Sequence, residues 1–252
     1  MSTEGIFAIA EGEGTELTGA TKFKSNVLEI EVDGKAAAKV NKAIKPVDKR
    51  ANVDSGCSGS QRSALLTALQ NSASLSSAAA SAASRNNAKF QEYFRTTSSS
   101  AKQTVIARFN AVGRESSSSS SGVTHYYCND PYNYCSSNVL AWTLPTQNIV
   151  ANCPLYYSAL PALSSQCHAQ DQATTTLHEL THANGVYSPY CDDYAYGYEA
   201  STSLPSSQAL QNADSYALFA NGKWNIIICQ SFFYGIPLLT SVPYSHLRRM
   251  LE

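Results

Sequence analysis

A chain of 252 residues with 43% hydrophobic content can bury one domain of ordinary size and something more. Charged residues make up only 15%, against roughly 25% in a typical soluble protein, and Ser, Ala and Thr fill the difference. Formal net charge is −1, and no run approaches the roughly 18 apolar residues of a membrane span, so neither a nucleic acid nor a membrane is expected as partner.

Residues 1–50 differ from all that follows. Weak alternation over residues 5–33, clearest at Val27-Leu28-Glu29-Ile30-Glu31-Val32, suggests a strand, and Asp33-Gly34 is a turn signal. Spaced lysines then lead to Lys49-Arg50. This dibasic pair at a composition shift reads as a cleavage site for a subtilisin-like secretory protease, with 1–50 as the end of a propeptide. Met1-Ser2-Thr3-Glu4-Gly5 lacks the basic start and apolar run of a signal peptide. The expectation is therefore a sequence that starts downstream of a true signal.

Residues 60–113 read as helical, broken at Asn86-Asn87 and again within 96–100. The second stretch sets Phe90, Tyr93, Phe94, Val105, Ile106, Phe109 and Val112 in helical phase, as a core face. Serines 116–121 read as a flexible loop. Residues 123–128, 139–144 and 149–150 are short strand-like runs between turn signals, predicting a small antiparallel sheet. Residues 171–182 hold no Gly or Pro, so a helix is allowed there, with Asn184-Gly185 as its stop. A polar and aromatic loop is expected over 186–200 and a helix over 206–221.

Seven cysteines occur, at positions 57, 128, 135, 153, 167, 191 and 229, with no C-x-x-C pair and none before the dibasic site. This spacing argues against a Cys-rich zinc site and for a disulfide framework in an oxidising compartment, with one thiol left over.

The pattern His178-Glu179-Leu180-Thr181-His182 carries the chemistry. On a helix, residues four apart share a face, so His178 and His182 can close on one metal ion while Glu179 reaches a water. Catalytic zinc takes three protein ligands and leaves a fourth position open. The third comes from Cys191, Asp192, Asp193, Glu199 or Asp214, among which spacing does not choose.

His178-Glu179-Leu180-Thr181-His182 followed by Asp193-Tyr194-Ala195-Tyr196-Gly197 resembles the deuterolysin (aspzincin, M35) metalloendopeptidases. The likeness extends through Cys128-Asn129-Asp130-Pro131-Tyr132, Asn152-Cys153 with Tyr156-Tyr157, the stretch 167–177, and Asn212-Ala213-Asp214-Ser215-Tyr216. It implies a predominantly helical α+β zincin-type fold with a small antiparallel sheet and disulfides. It implies one Zn2+ per chain on His178, His182 and Asp193, with Glu179 as base and Tyr196 as oxyanion donor. Asp214 and Tyr156 match positions important for activity, and Asp214 takes the part of a carboxylate behind a ligating histidine. It further implies secretion with a prosegment, and bridges Cys57–Cys128, Cys135–Cys153 and Cys167–Cys229, with Cys167–Cys191 as the alternative. A monomer is expected.

Two stretches depart from the family pattern. Its Gly-Thr ahead of the ligand loop is Tyr190-Cys191 here. Residues 222–252 run past the family's usual end with a different composition, which suggests translation of an unspliced intron or a shifted frame. The catalytic domain is accordingly expected over 51–221.

Residues 115–221 contain no Lys or Arg and eight acids, a formal charge of −8. Such a field attracts basic polypeptides, in line with the family's preference for basic proteins. The rival expectation is a secreted zinc-binding or wall-associated protein that keeps the fold without catalysis.

Overall fold

In the computed structural model, which describes residues 7–10, 52–117 and 122–224, the helical half begins with α1 (Gly59–Arg85). Its buried face recurs every three or four residues, from Leu65 through Leu69, Ser72, Leu75 and Ala79 to Ala83. Those side chains are mostly small, which lets α3 (Ser99–Ser117) approach closely. A Cβ at Gly113 of α3 would lie 3.3 Å from Ser76 Cβ, and the Ser72 and Ser116 hydroxyls bridge the two helices at 3.1 Å. Between them α2 (Asn87–Phe94) starts at Asn86, whose side chain accepts the Lys89 N–H at 3.0 Å. Both expected helix breaks are thus present.

Phe90, Tyr93, Phe94, Val105, Phe109 and Val112 are buried core, as their phase predicts, and Ile106 packs at its margin. Phe94 and Phe109 meet Tyr216 and Phe219 of α8 (Ala213–Trp224) with ring centroids 5.2 to 5.8 Å apart. The expected helix over 206–221 is two pieces, α7 (Ser206–Ala209) and α8, separated at residues 210–212. The boundary drawn at 221 falls inside α8, and residues 225–252 lie outside the described part.

Five strands form one sheet in the order β1-β4-β5-β3-β2. They are β1 (Phe7–Ala10), β2 (Asn52–Val53), β3 (His125–Tyr127), β4 (Val139–Leu144) and β5 (Ile149–Asn152). The expected antiparallel sheet is in fact mixed: β1–β4 and β4–β5 are antiparallel, whereas β3–β5 and β2–β3 are parallel. Parallel neighbours need a crossover. β2 reaches β3 only after α1 to α3 have intervened, so local strand spacing does not reveal the pairing. The strand expected near Val27 to Val32 lies outside the described residues.

β4 is buried at all six positions, because the zinc-motif helix covers one face and a Trp142, Tyr132 and Tyr134 cluster covers the other. Short helices α4 (Pro154–Ala159) and α6 (Tyr198–Thr202) were not foreseen. Pro154 at the first turn marks the former. α6 takes over the end of the expected 186–200 loop.

Disulfides Cys57–Cys128 and Cys135–Cys153 are present. Cys167 is also disulfide-bonded, and Cys229 lies outside the described residues. Cys191 is a buried free thiol, which excludes the Cys167–Cys191 alternative.

Candidate metal centre

The motif helix α5 (Gln172–His182) is buried along its whole length. It starts at a capping box: Asp171 accepts the Thr174 N–H at 2.7 Å, and Thr174 Oγ1 accepts the Asp171 N–H at 3.1 Å. Tyr156 of α4 lies against the first turns, its hydroxyl bonded to Gln172 O at 3.1 Å and Thr176 Oγ1 at 3.0 Å. Thr176 is two residues from His178 and so faces away from it on a helix. Tyr156 therefore steadies the helix from behind and is not brought to the metal-facing side.

The chain returns to the helix through the loop that carries Asp193. Cys191 N–H donates to Thr181 O at 2.9 Å, Asp192 N–H donates to Gln211 O at 2.7 Å, and Asp192 O accepts the Ala213 N–H at 3.0 Å. Asn212 Oδ1 accepts the Tyr194 and Ala195 N–H groups at 2.9 and 3.0 Å, and Asp214 Oδ2 accepts that of Gly197 at 2.6 Å. Gly197 has φ +76°, a conformation that favours glycine. Tyr190 and Cys191 do not have positive φ, so the backbone here does not require the family's glycine.

This folding collects His178, His182 and Asp193 into one group. His178 Nε2 and His182 Nε2 are 3.1 Å apart, and Asp193 Oδ1 is 3.2 and 3.4 Å from them. Ligands about 2.0–2.1 Å from a tetrahedral zinc stand roughly 3.3 Å from one another. The donors therefore fit such an ion, with two imidazole nitrogens and one carboxylate oxygen. His182 Nδ1 donates to Cys191 O at 2.8 Å, which turns Nε2 inward toward His178 and Asp193. His178 Nδ1 faces Asp214 Oδ1 at 3.6 Å, a charge contact longer than a hydrogen bond.

The charges at this centre depend on one another. Burial alone would lower the His178 pKa, but the Asp193 carboxylate, aided by Asp214 and Glu179, outweighs it and raises the value to about 10. Burial would raise Asp193, yet His182 and His178 hold it well below the usual carboxylate range. Burial pushes Glu179 upward, against the pull of both histidines and Thr143.

Glu179 Oε2 accepts from Thr143 Oγ1 at 2.6 Å, while Oε1 is buried without a hydrogen-bond partner. A water that donates a proton to Oε1 would satisfy that orphan. Tyr196 stacks beside His178, with centroids 6.0 Å apart and planes 17° from parallel. Its hydroxyl stays protonated, since burial and then the Asp193 charge raise its pKa. Among the other ligand possibilities, Asp192 is bonded by Tyr194 at 3.1 Å and Glu199 is exposed. The Cys191 thiol is pushed up to about 12 by burial.

Thr143 and Arg108 went unnoticed in the sequence. The signal for Thr143 is a hydroxyl inside the otherwise apolar Val139-Leu140-Ala141-Trp142-Thr143-Leu144. Arg108 is an arginine on the buried face of α3, where it bonds Thr181 O at 3.4 Å and Pro189 O at 3.0 Å.

A sequence model of the deuterolysin metalloprotease (M35) family matches residues 1–229. A neutral protease 2 homolog of Aspergillus terreus is 62% identical over 88% of this chain and 62% of its own length. One from Aspergillus fumigatus is 65% identical over 88% of this chain and 60% of its own length. A third, from Coccidioides posadasii, is 54% identical over 88% of this chain and 61% of its own length. The chain thus spans about three fifths of the length of these curated relatives. A zinc peptidase from Grifola frondosa shares the fold, with a TM-score of 0.54 and 22% identity over 66% of this chain and 97% of that one.

Proposed function

The chain belongs to the deuterolysin metalloprotease (M35) family, and from that premise we propose that it is a zinc-dependent endopeptidase with His178, His182 and Asp193 as the metal ligands. The carrying observation is three buried donor atoms 3.1 to 3.4 Å apart, beside a glutamate oxygen without a partner. When bound, zinc supplies Lewis acidity toward the scissile carbonyl and toward a water.

The chain's own groups account for the rest. Glu179 Oε1 takes the proton of the attacking water, and Thr143 keeps Oε2 turned away from that task. The same carboxyl then delivers the proton to the leaving amine. The Tyr196 hydroxyl, held neutral, donates to the oxyanion of the tetrahedral intermediate. Asp214 orients His178 and, through Gly197 N–H, the turn that carries Tyr196. Tyr156 keeps the helix in place rather than touching substrate.

Secretion, one zinc per chain and a monomeric state complete the reading, with 51–221 as the catalytic part released by a subtilisin-like protease at Lys49-Arg50. Among the described residues, no helix is long and apolar enough to cross a membrane. The −8 charge of residues 115–221 supports a preference for basic polypeptides. Zinc analysis of the purified protein should give one ion per chain, and protamine should be cut faster than an acidic protein, with an advantage that shrinks as salt rises. Glu179→Gln should keep the zinc and lose the cleavage. Stoichiometric zinc with no cleavage by the chain once it is cut at Lys49-Arg50 would favour the non-catalytic rival, and equal, salt-insensitive rates would refute the substrate preference.

A further inference from the structure

β4 is the strand that touches the site, because its Thr143 holds the Glu179 carboxylate. Both faces of β4 are covered, so only its edges can meet another chain. β5 takes one edge and β1 takes the other. β1 comes from the segment ahead of Lys49-Arg50. It pairs antiparallel, with Phe7 opposite Thr143, Ala8 opposite Trp142 and Ile9 opposite Ala141, and the register shifts before Ala10. It also runs beside the motif helix α5.

We propose that Phe7–Ala10 occupies the edge of β4 on which an extended peptide would lie, and so keeps substrate out until the chain is cut at Lys49-Arg50. The proposal rests on the endopeptidase reading of the site. A peptide added along the line of β1 would carry its backbone past Thr143 and hence past Glu179. Strand addition is held by main-chain hydrogen bonds and so is largely indifferent to sequence, which makes an internal strand a direct competitor of substrate. Without β1, the edge N–H and C=O groups of β4 would need other partners. A tethered strand presents itself at an effective concentration on the order of millimolar, far above a micromolar substrate. Four residues pair weakly on their own, so the tether is what retains them, and cutting it frees the edge.

Neighbouring residues of a strand direct their N–H groups to opposite edges. One of Ala8 and Ile9 therefore donates toward β4, and proline there removes that bond. The test uses the full zinc-loaded chain with Lys49→Ala, Arg50→Ala and Glu179→Gln, so that it stays whole. Amide exchange over residues 139–144 and anisotropy of a short fluorescein-labelled Ala/Arg peptide are compared with and without Ala8→Pro or Ile9→Pro. At least one proline variant should speed exchange in β4 and tighten peptide binding about tenfold or more. Unchanged exchange and unchanged affinity in both variants would overturn the proposal. Restoring Glu179 separates the two readings. Freed β4 amides without peptide cleavage would sink the endopeptidase reading and leave the strand's occupancy standing. Cleavage by the parent chain with neither proline having any effect would do the reverse.

Discussion

Thr143 Oγ1 donates to Glu179 Oε2 at 2.6 Å and lies 3.2 Å from Glu179 O, so one hydroxyl fixes both the carboxylate and the turn of helix that carries it. Glu179 is then left with one committed and one unpartnered oxygen. Thr143→Val keeps the shape and removes the bond. The carboxylate should then rotate between its two oxygens, and kcat should fall roughly 10- to 100-fold, the usual loss when a partner behind a metal-site group is removed. Zinc content should not change, since Thr143 touches no ligand. Single-turnover kinetics alongside zinc analysis would check both expectations.

Zinc must displace a proton here. In the metal-free site His178 titrates at about 10, because Asp193 and Asp214 favour its charged form over the cost of burial. The folded value lies above the ordinary one of about 6.5. The His178–Asp193 attraction therefore stabilises the apo protein fully below about pH 6.5, and that contribution is lost as pH rises through about 10. Zinc affinity moves the opposite way. Between pH 7 and 9 it should rise about tenfold per unit as proton competition weakens. Calorimetry at pH 8 in buffers of different ionisation heat should show about one proton released per zinc. A pH-independent affinity would contradict the raised His178 value.

The motif helix was legible because its chemistry is local: His178, Glu179 and His182 lie within one and a half turns. The core phase of Phe90 to Val112 was legible for the same reason. Asp193 was one of five possibilities until the resemblance selected it, since its approach depends on Asn212 and on backbone bonds from Cys191 and Asp192. These contacts are distant in sequence and leave no periodic trace. The mixed sheet escaped for a related reason, as β2 and β3 are joined by three helices. Tyr156 matched a family position important for activity, and its hydroxyl meets the far side of α5, a contact that spacing alone does not reveal.

His168 supplies a pH effect outside the metal centre. Its Nε2 accepts the Tyr93 hydroxyl at 2.6 Å, and its ring stacks on Tyr198 with centroids 3.8 Å apart. Burial lowers its pKa to about 4, with help from Lys89 and against Glu92. The folded value lies below the unfolded one, so the unfolded chain binds the extra proton between about pH 4 and 6.5. Stability should be complete above about pH 6.5 and decline as pH falls toward 4. His168→Asn should flatten this part of the melting-temperature profile, because Asn does not titrate and tolerates the φ of +59° at this position. A profile as steep as that of the parent would assign the acid sensitivity to other groups.

Arg108 joins the end of the motif helix to the loop beside it. It is 1% exposed, lies under the Tyr187 and Tyr216 rings at 4.6 and 5.2 Å, and donates to Thr181 O and Pro189 O. Thr181 precedes His182, and the loop it secures supplies the Cys191 carbonyl that orients His182. A cation at a helix C-terminus also satisfies a carbonyl that the helix leaves open. Arg108→Lys keeps the charge but lacks the planar fork that reaches two carbonyls and stacks on the rings. Arg108→Met keeps bulk and loses both bonds. Methionine should cost roughly 1–3 kcal/mol of stability from the two lost hydrogen bonds, and lysine somewhat less. Both variants should also release zinc faster to a chelator than the parent, because His182 loses its fixed orientation. A lower melting temperature with an unchanged zinc off-rate would confine Arg108 to holding the fold and separate it from the metal centre.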